Sequence, residues 1–332
     1  MEGYAAKRLL WVDYMKVIGM YLIIAGHFFT IGNKYIYTFS VALFFCISGF
    51  LCKKEREHSL FWKKLWYNLV IPMFFICILN WAWKTQSEIR HNTFNVESLC
   101  AYFLYLICGF HKALGPMWFV YTLIFLKLIF QFSSTKLHYI LLFISPIMTI
   151  TANHFLYGTF EPSTEMGLYA NAIANTTISF PFFIIGNYIK RYKVVLNLYK
   201  PTLKSIFIVI ICTSIIFVCG RFNDIVFMYL NGFGSNYIMF IMGSISGTIL
   251  IFIISKYLSC FKSKQIIILS TGSIAILGFH MIILNFTRSI LTTPSWKDYI
   301  MAVGIMILFI PIISFLEKFS PFLLGNSSLI IQ

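Results

Sequence analysis

The sequence predicts an all-α fold, a polytopic integral membrane protein of about ten transmembrane helices, and three observations predict it. Of 332 residues, 59% are hydrophobic and only 11% are charged, where a soluble domain carries about 25% charged residues. The apolar residues fall in runs long enough to cross a hydrocarbon core of roughly 30 Å. The charges fall between the runs and are mostly basic, 26 Lys and Arg against 11 Asp and Glu. A soluble fold is excluded because its polar surface is missing. Nucleic acid is excluded as a partner because no basic, aromatic-bearing soluble segment exists to bind it.

The first span, about 11–30, follows Lys7 and Arg8. It is too long for a signal-peptide core and lacks a small-residue cleavage site, so it reads as uncleaved. Spans follow at about 35–52, 65–83, 115–132, 137–156, 168–189, 204–220, 236–258, 266–286 and 299–316. The stretch 98–110 is short and flanked by Glu97 and His111. It stands open between a crossing, a re-entrant and an interfacial segment. The positive-inside rule favours a segment that does not cross. With ten spans and a cytosolic N-terminus, 18 basic residues fall inside and 7 outside, with Lys16 inside the first span. If 98–110 crossed, the run Lys190-Arg191-Tyr192-Lys193 would move outside. The expectation is a single membrane domain over 1–332 with both termini cytosolic, in the cell membrane. The eight cysteines form no CxxC pair; they read as small buried hydrophobes, and no metal site is expected.

Ionisable residues inside a span are functional candidates by default. The first span holds Asp13, Lys16 and His27. At about 100° per residue, Lys16 and His27 lie within roughly 20° of one line, and Asp13 within about 40° of His27. One helix face thus carries a cation near its inner end and an imidazole roughly 16 Å further out. A neutral imidazole can take a proton from a hydroxyl as a general base.

That helix carries a resemblance. D-x-x-K with K-x10-H resembles the first helix of membrane acyltransferase family 3. Five further stretches agree in order: L-F-F-C-I-S-G-F (Leu43–Phe50), K-K-L-W-Y-N-L-V-I-P (Lys63–Pro72), P-M-W-F-V-Y-T-L-I-F (Pro116–Phe125), S-F-P-F-F-I-I-G-N-Y-I-K (Ser179–Lys190) and G-S-I-A-I-L-G-F-H (Gly272–His280). The Trp-Phe stretch is similar to that of the fucose 4-O-acetylase-like branch. Lys16 stands where many members carry Arg; it keeps the charge but not the bidentate fork.

The resemblance implies an integral-membrane O-acyltransferase that takes acetyl groups from cytosolic acetyl-CoA and acylates hydroxyls of surface carbohydrates, with His27 catalytic. Acetyl-CoA is then a co-substrate, and no cofactor is tightly bound. The acceptor is a cell-surface polysaccharide or a lipid-linked glycan, and succinyl transfer stays open. Lys63, Lys64, Lys190 and Arg191, with Lys53, Lys54, Arg56 and Lys193, could hold the donor's phosphates, or merely set topology. Asp13 is expected to pair with Lys16. His280 lies roughly 21 Å along a straight helix from Ile266, at the depth of His27; it orients the acceptor, polarises the thioester, or is a core histidine. Trp118 is a packing residue or a sugar-stacking platform. Ser48 and Gly49 read as small residues for close helix packing. Glu161 and Glu165 fall in an outer loop, where carboxylates bind sugar hydroxyls or are simply solvated. The rival reading is a transporter or flippase for a lipid-linked saccharide, which would use the same polar groups as a path.

Overall fold

The computed structural model describes residues 8–28, 32–93, 95–155, 165–192, 202–288 and 295–325. Among the described residues 85% are helical and none lies in a strand. The helices in chain order are α1 (Leu10–His27), α2 (Asn33–Tyr37), α3 (Ser40–Leu51), α4 (His58–Leu65), α5 (Ile71–Arg90), α6 (Val96–Cys108), α7 (His111–Leu114), α8 (Trp118–Phe132), α9 (Thr135–His154), α10 (Glu165–Tyr192), α11 (Leu203–Phe222), α12 (Tyr237–Leu258), α13 (Lys264–Thr271), α14 (Ser273–Arg288) and α15 (Lys297–Phe319).

Among the described residues, eight helical segments are long and apolar enough to cross a membrane. The pair α13 and α14 makes a ninth, bent by 81° at Gly272. The sequence expectation of about ten differs at α1, whose 18 residues include Asp13, Lys16 and His27. Those polar groups lower its hydropathy. They are tolerated because α1 is enclosed by α3, α12, α13, α14 and α15, so protein rather than lipid faces them.

The ambiguous stretch forms α6, 13 residues long. It spans roughly 20 Å, too short to cross. The Tyr102 hydroxyl lies 2.9 Å from both the Cys77 and Ala113 carbonyls, fixing α6 against α5 and α7. A π-turn over Trp66–Val70 joins α4 to α5 just before Pro72. The wider turn accommodates a ring that would otherwise crowd the carbonyl four residues back.

Helices α3 and α10 meet backbone to backbone. A Cβ on Gly49 would lie 1.8 Å from the Phe183 carbonyl oxygen, and one on Gly186 would lie 2.0 Å from that of Cys46. Asn187 Nδ2 donates to the Gly49 and Cys52 carbonyls at 3.2 and 3.1 Å. Glu165 opens α10 rather than lying in a loop, because helical hydrogen bonding continues past the apolar run. Glu161 and Lys193 lie outside the described residues.

Candidate active site

One stripe of α1 walls three adjoining cavities. Its residues recur every three or four positions, the spacing of a helix face. Asp13 and Lys16 line the innermost cavity, Lys16 and Met20 the middle one, and Met20, Ile23 and His27 the outermost. The inner cavity, about 630 Å³, also takes Arg8, Lys53 and Lys190. The middle one, about 190 Å³, adds Ser48, Cys52 and Lys127. The outer one, about 230 Å³, adds Trp118 and Tyr229. Lys16, Leu51, Ser273 and Ile274 are shared by the inner two, and Met20, Phe44, Phe119 and Leu277 by the outer two.

At the inner end, Asp13 does not pair with Lys16. It accepts from Arg8 Nε at 2.8 Å and Nη2 at 3.0 Å, and from Ser270 Oγ at 2.6 Å. A guanidinium fork matches a carboxylate as an ammonium does not. Leu9 is extended, with φ −94° and ψ 91°, and Arg8 turns back over the first turn of α1. Its Nη2 also reaches the Ile267 carbonyl and Thr271 Oγ1, at 3.2 and 3.3 Å. The pair therefore staples α13 to α1 and leaves Lys16 facing the cavities with no ion pair within 4 Å among the described residues.

At the outer end two imidazoles meet. The His27 and His280 ring centres are 5.1 Å apart, tilted by 38°. His27 Nδ1 lies 3.5 Å from the Tyr37 hydroxyl. His280 is fully buried. Its Nδ1 lies 3.0 Å from the Ile276 carbonyl oxygen and 2.8 Å from that of Leu277. Carbonyl oxygens only accept, so in the neutral ring Nδ1 carries the hydrogen and Nε2 offers a lone pair. That Nε2 has no partner among the described residues. Neutral His280 thus accepts a hydrogen bond, and only its imidazolium could polarise a thioester carbonyl. The meeting with His27 does not arise from a straight helix. The 81° bend at Gly272 turns α14 inward, and the depth count from Ile266 gives way to direct contact. The bend falls where α14 starts against α15, with a Gly272 Cβ 2.3 Å from Ile313.

Trp118 is buried and walls the outer cavity, its ring 6.2 Å from Phe45 and 6.5 Å from Tyr229. Tyr229 comes from the α11–α12 loop, which buried asparagines pin. Asn171 and Asn175 donate to its carbonyl at 3.2 and 3.0 Å, and Asn231 donates to Thr149 at 2.9 Å. Burial pushes the Tyr229 phenol above its usual range, so it stays a neutral donor and acceptor.

Of the basic residues singled out in the sequence as phosphate contacts, the structure brings Lys53 and Lys190 to the inner cavity, and Lys54, Arg56, Lys63, Lys64 and Arg191 wall none of the three. Lys64 pairs with Glu55 at 2.8 Å. Lys63 is exposed and walls none of the three cavities. Arg191 lies over the Tyr192 ring. Arg8, Tyr37, Lys127 and Tyr229 enter the site without having been chosen from the sequence. Arg8 and Lys127 were visible only as topological charges, and the two tyrosines are ordinary aromatic residues in apolar stretches.

One family model matches the chain, described as an acyltransferase domain and covering residues 9–316. Neither a curated protein nor a solved structure matches.

Proposed function

The chain belongs to membrane acyltransferase family 3, and from that premise we propose that it moves an acetyl group from cytosolic acetyl-CoA to a hydroxyl of a cell-surface polysaccharide or lipid-linked glycan. The observation that carries this reading is the series of cavities along α1. It joins a basic mouth to two imidazoles in contact, one with a buried acceptor nitrogen that has no partner among the described residues. Leaving such an atom unpaired costs about 1–3 kcal/mol, a cost that a bound hydroxyl would remove.

The basic mouth is the cytosolic side in this reading, as the excess of Lys and Arg on that face supports. Arg8, Lys53 and Lys190 hold the anionic end of the donor. Its arm extends past Lys16 and Met20 and brings the thioester beside His27. The acceptor enters the outer cavity, where Trp118 and Tyr229 offer faces on which a sugar ring can stack. His280 Nε2 orients the acceptor hydroxyl or the His27 ring. His27 takes the hydroxyl proton as the oxygen attacks the thioester carbonyl carbon. The tetrahedral intermediate collapses with cleavage of the carbon–sulfur bond, and the thiolate leaves with the proton from His27. CoA and the O-acetyl ester are the products. Tyr37 holds the His27 ring on the other edge.

Labelled acetyl-CoA supplied to inside-out vesicles tests this reading. Wild type should label glycan, and His27→Ala should not; equal labelling by both would remove His27 from the chemistry. A single turnover without acceptor separates direct transfer from an acetyl-His27 intermediate, since direct transfer leaves the protein unlabelled.

A further inference from the structure

The middle cavity holds a second interior cation. Lys16 lies six residues from the start of α1, and Lys127 five residues from the end of α8. The two helices run in opposite directions, which puts both residues roughly 8–9 Å in from the basic face. Both line the same cavity, and among the described residues no carboxylate lines it. The nearest acids are engaged elsewhere, Asp13 by Arg8 and Glu55 by Lys64. Among the described residues neither lysine has an ion pair within 4 Å. Ser273 and Ile274 also line the cavity, so the N-terminus of the 16-residue α14 adds a positive dipole end there. Two ammonium groups and a helix N-terminus facing one enclosed space repel each other until an anion joins them.

We propose that Lys16 and Lys127 together form an anion-binding station in the middle of the passage, occupied by a phosphate of the thioester donor. This rests on the acyltransferase reading above. The spacing selects the phosphate. Lys16 is eleven residues from His27, about 16 Å along α1. A coenzyme A arm has about thirteen bonds between sulfur and the first phosphorus, a reach of roughly 16 Å at ~1.2 Å per bond. A thioester at His27 thus sets its first phosphate at the station. A carboxylate on the acyl group would lie beyond the thioester, in the outer cavity, where no Lys or Arg among the described residues lines the wall.

Lys127→Met and Lys127→Arg test the assignment in purified, folded protein, with CoA binding followed by calorimetry and transfer followed with two donors. One donor is acetyl-CoA; the other is S-acetyl-N-acetylcysteamine, which has no phosphate. Lys127→Met should weaken CoA binding and raise KM for acetyl-CoA by about tenfold or more. Its efficiency with the phosphate-free thioester should fall far less, and Lys127→Arg should recover most of the binding. Unchanged CoA affinity in folded Lys127→Met, or equal loss with both donors, would overturn the station. Wild type that binds no CoA overturns it as well. CoA binding that depends on Lys127 in a protein that transfers no acetyl group would keep the station and sink the acyltransferase reading.

Discussion

Replacing Gly49 by alanine should drive α3 and α10 apart and blunt the basic mouth. The added Cβ would sit 1.8 Å from the Phe183 carbonyl oxygen, where an ordinary carbon–oxygen contact is about 3.3 Å or more. The obstruction is backbone, so no rotamer relieves it, and the helices must separate by roughly 1.5 Å locally. Overpacking of this kind costs about 1–3 kcal/mol, and the rigid partner argues for the upper end. The displacement also strains the Asn187 bonds to Gly49 and Cys52. Lys53 lies two residues beyond the end of α3 and Lys190 three residues beyond Asn187, so the inner cavity loses its shape with the packing. The control is Gly304→Ala on α15, where a Cβ meets nothing within 4 Å. There the helix should gain up to about 1 kcal/mol from alanine's higher propensity. Thermal unfolding in detergent, read beside acetyl-CoA affinity, checks both. A Gly49→Ala protein as stable as wild type and with unchanged donor affinity would refute the packing argument and its link to the mouth.

Four further outcomes follow from the geometry. His27→Ala should lower transfer by about 10²–10⁴-fold, the usual worth of a general base, while CoA binding measured by calorimetry persists. His280→Gln should lower kcat roughly 10–100-fold, the loss of one strong hydrogen bond to a reacting group, with far-UV spectra unchanged. Asp13→Asn should cost about 1–2 kcal/mol in unfolding free energy, discounted because Arg8 is 47% exposed; a double-mutant cycle with Arg8→Ala should show that the two losses are not additive. Raising salt from 50 to 500 mM should raise KM for acetyl-CoA, because Arg8, Lys53 and Lys190 are exposed and screened, and should leave the phosphate-free thioester almost unaffected.

Much of the inner architecture was legible because it is local. A helix face follows from spacing, so Asp13, Lys16 and His27 could be set on one wall of α1 from sequence alone. The small residue at Gly49 announced a close approach, though not its partner. What the sequence hid is tertiary. Spacing along the helix pairs Asp13 with Lys16, but its partner is Arg8, which precedes the helix and competes with a better fork. The bend at Gly272 is invisible to hydropathy because every residue around it is apolar or small. The run Ser270-Thr271-Gly272-Ser273 was the available signal, since clustered small polar residues with glycine punctuate a helix. In the sequence Lys127 is one topological charge among many. Its importance comes from facing Lys16 across a cavity, which no spacing rule relates.

The series of cavities also bears on the integrity of the membrane. On the proposed function, a donor route along α1 would invite water, and with water would come a path for protons and small cations. The two lysines line the smallest of the three cavities, and a fixed positive field in a pore turns cations away. The same charges that attract a phosphate would therefore keep the resting enzyme from short-circuiting the gradient across its own membrane.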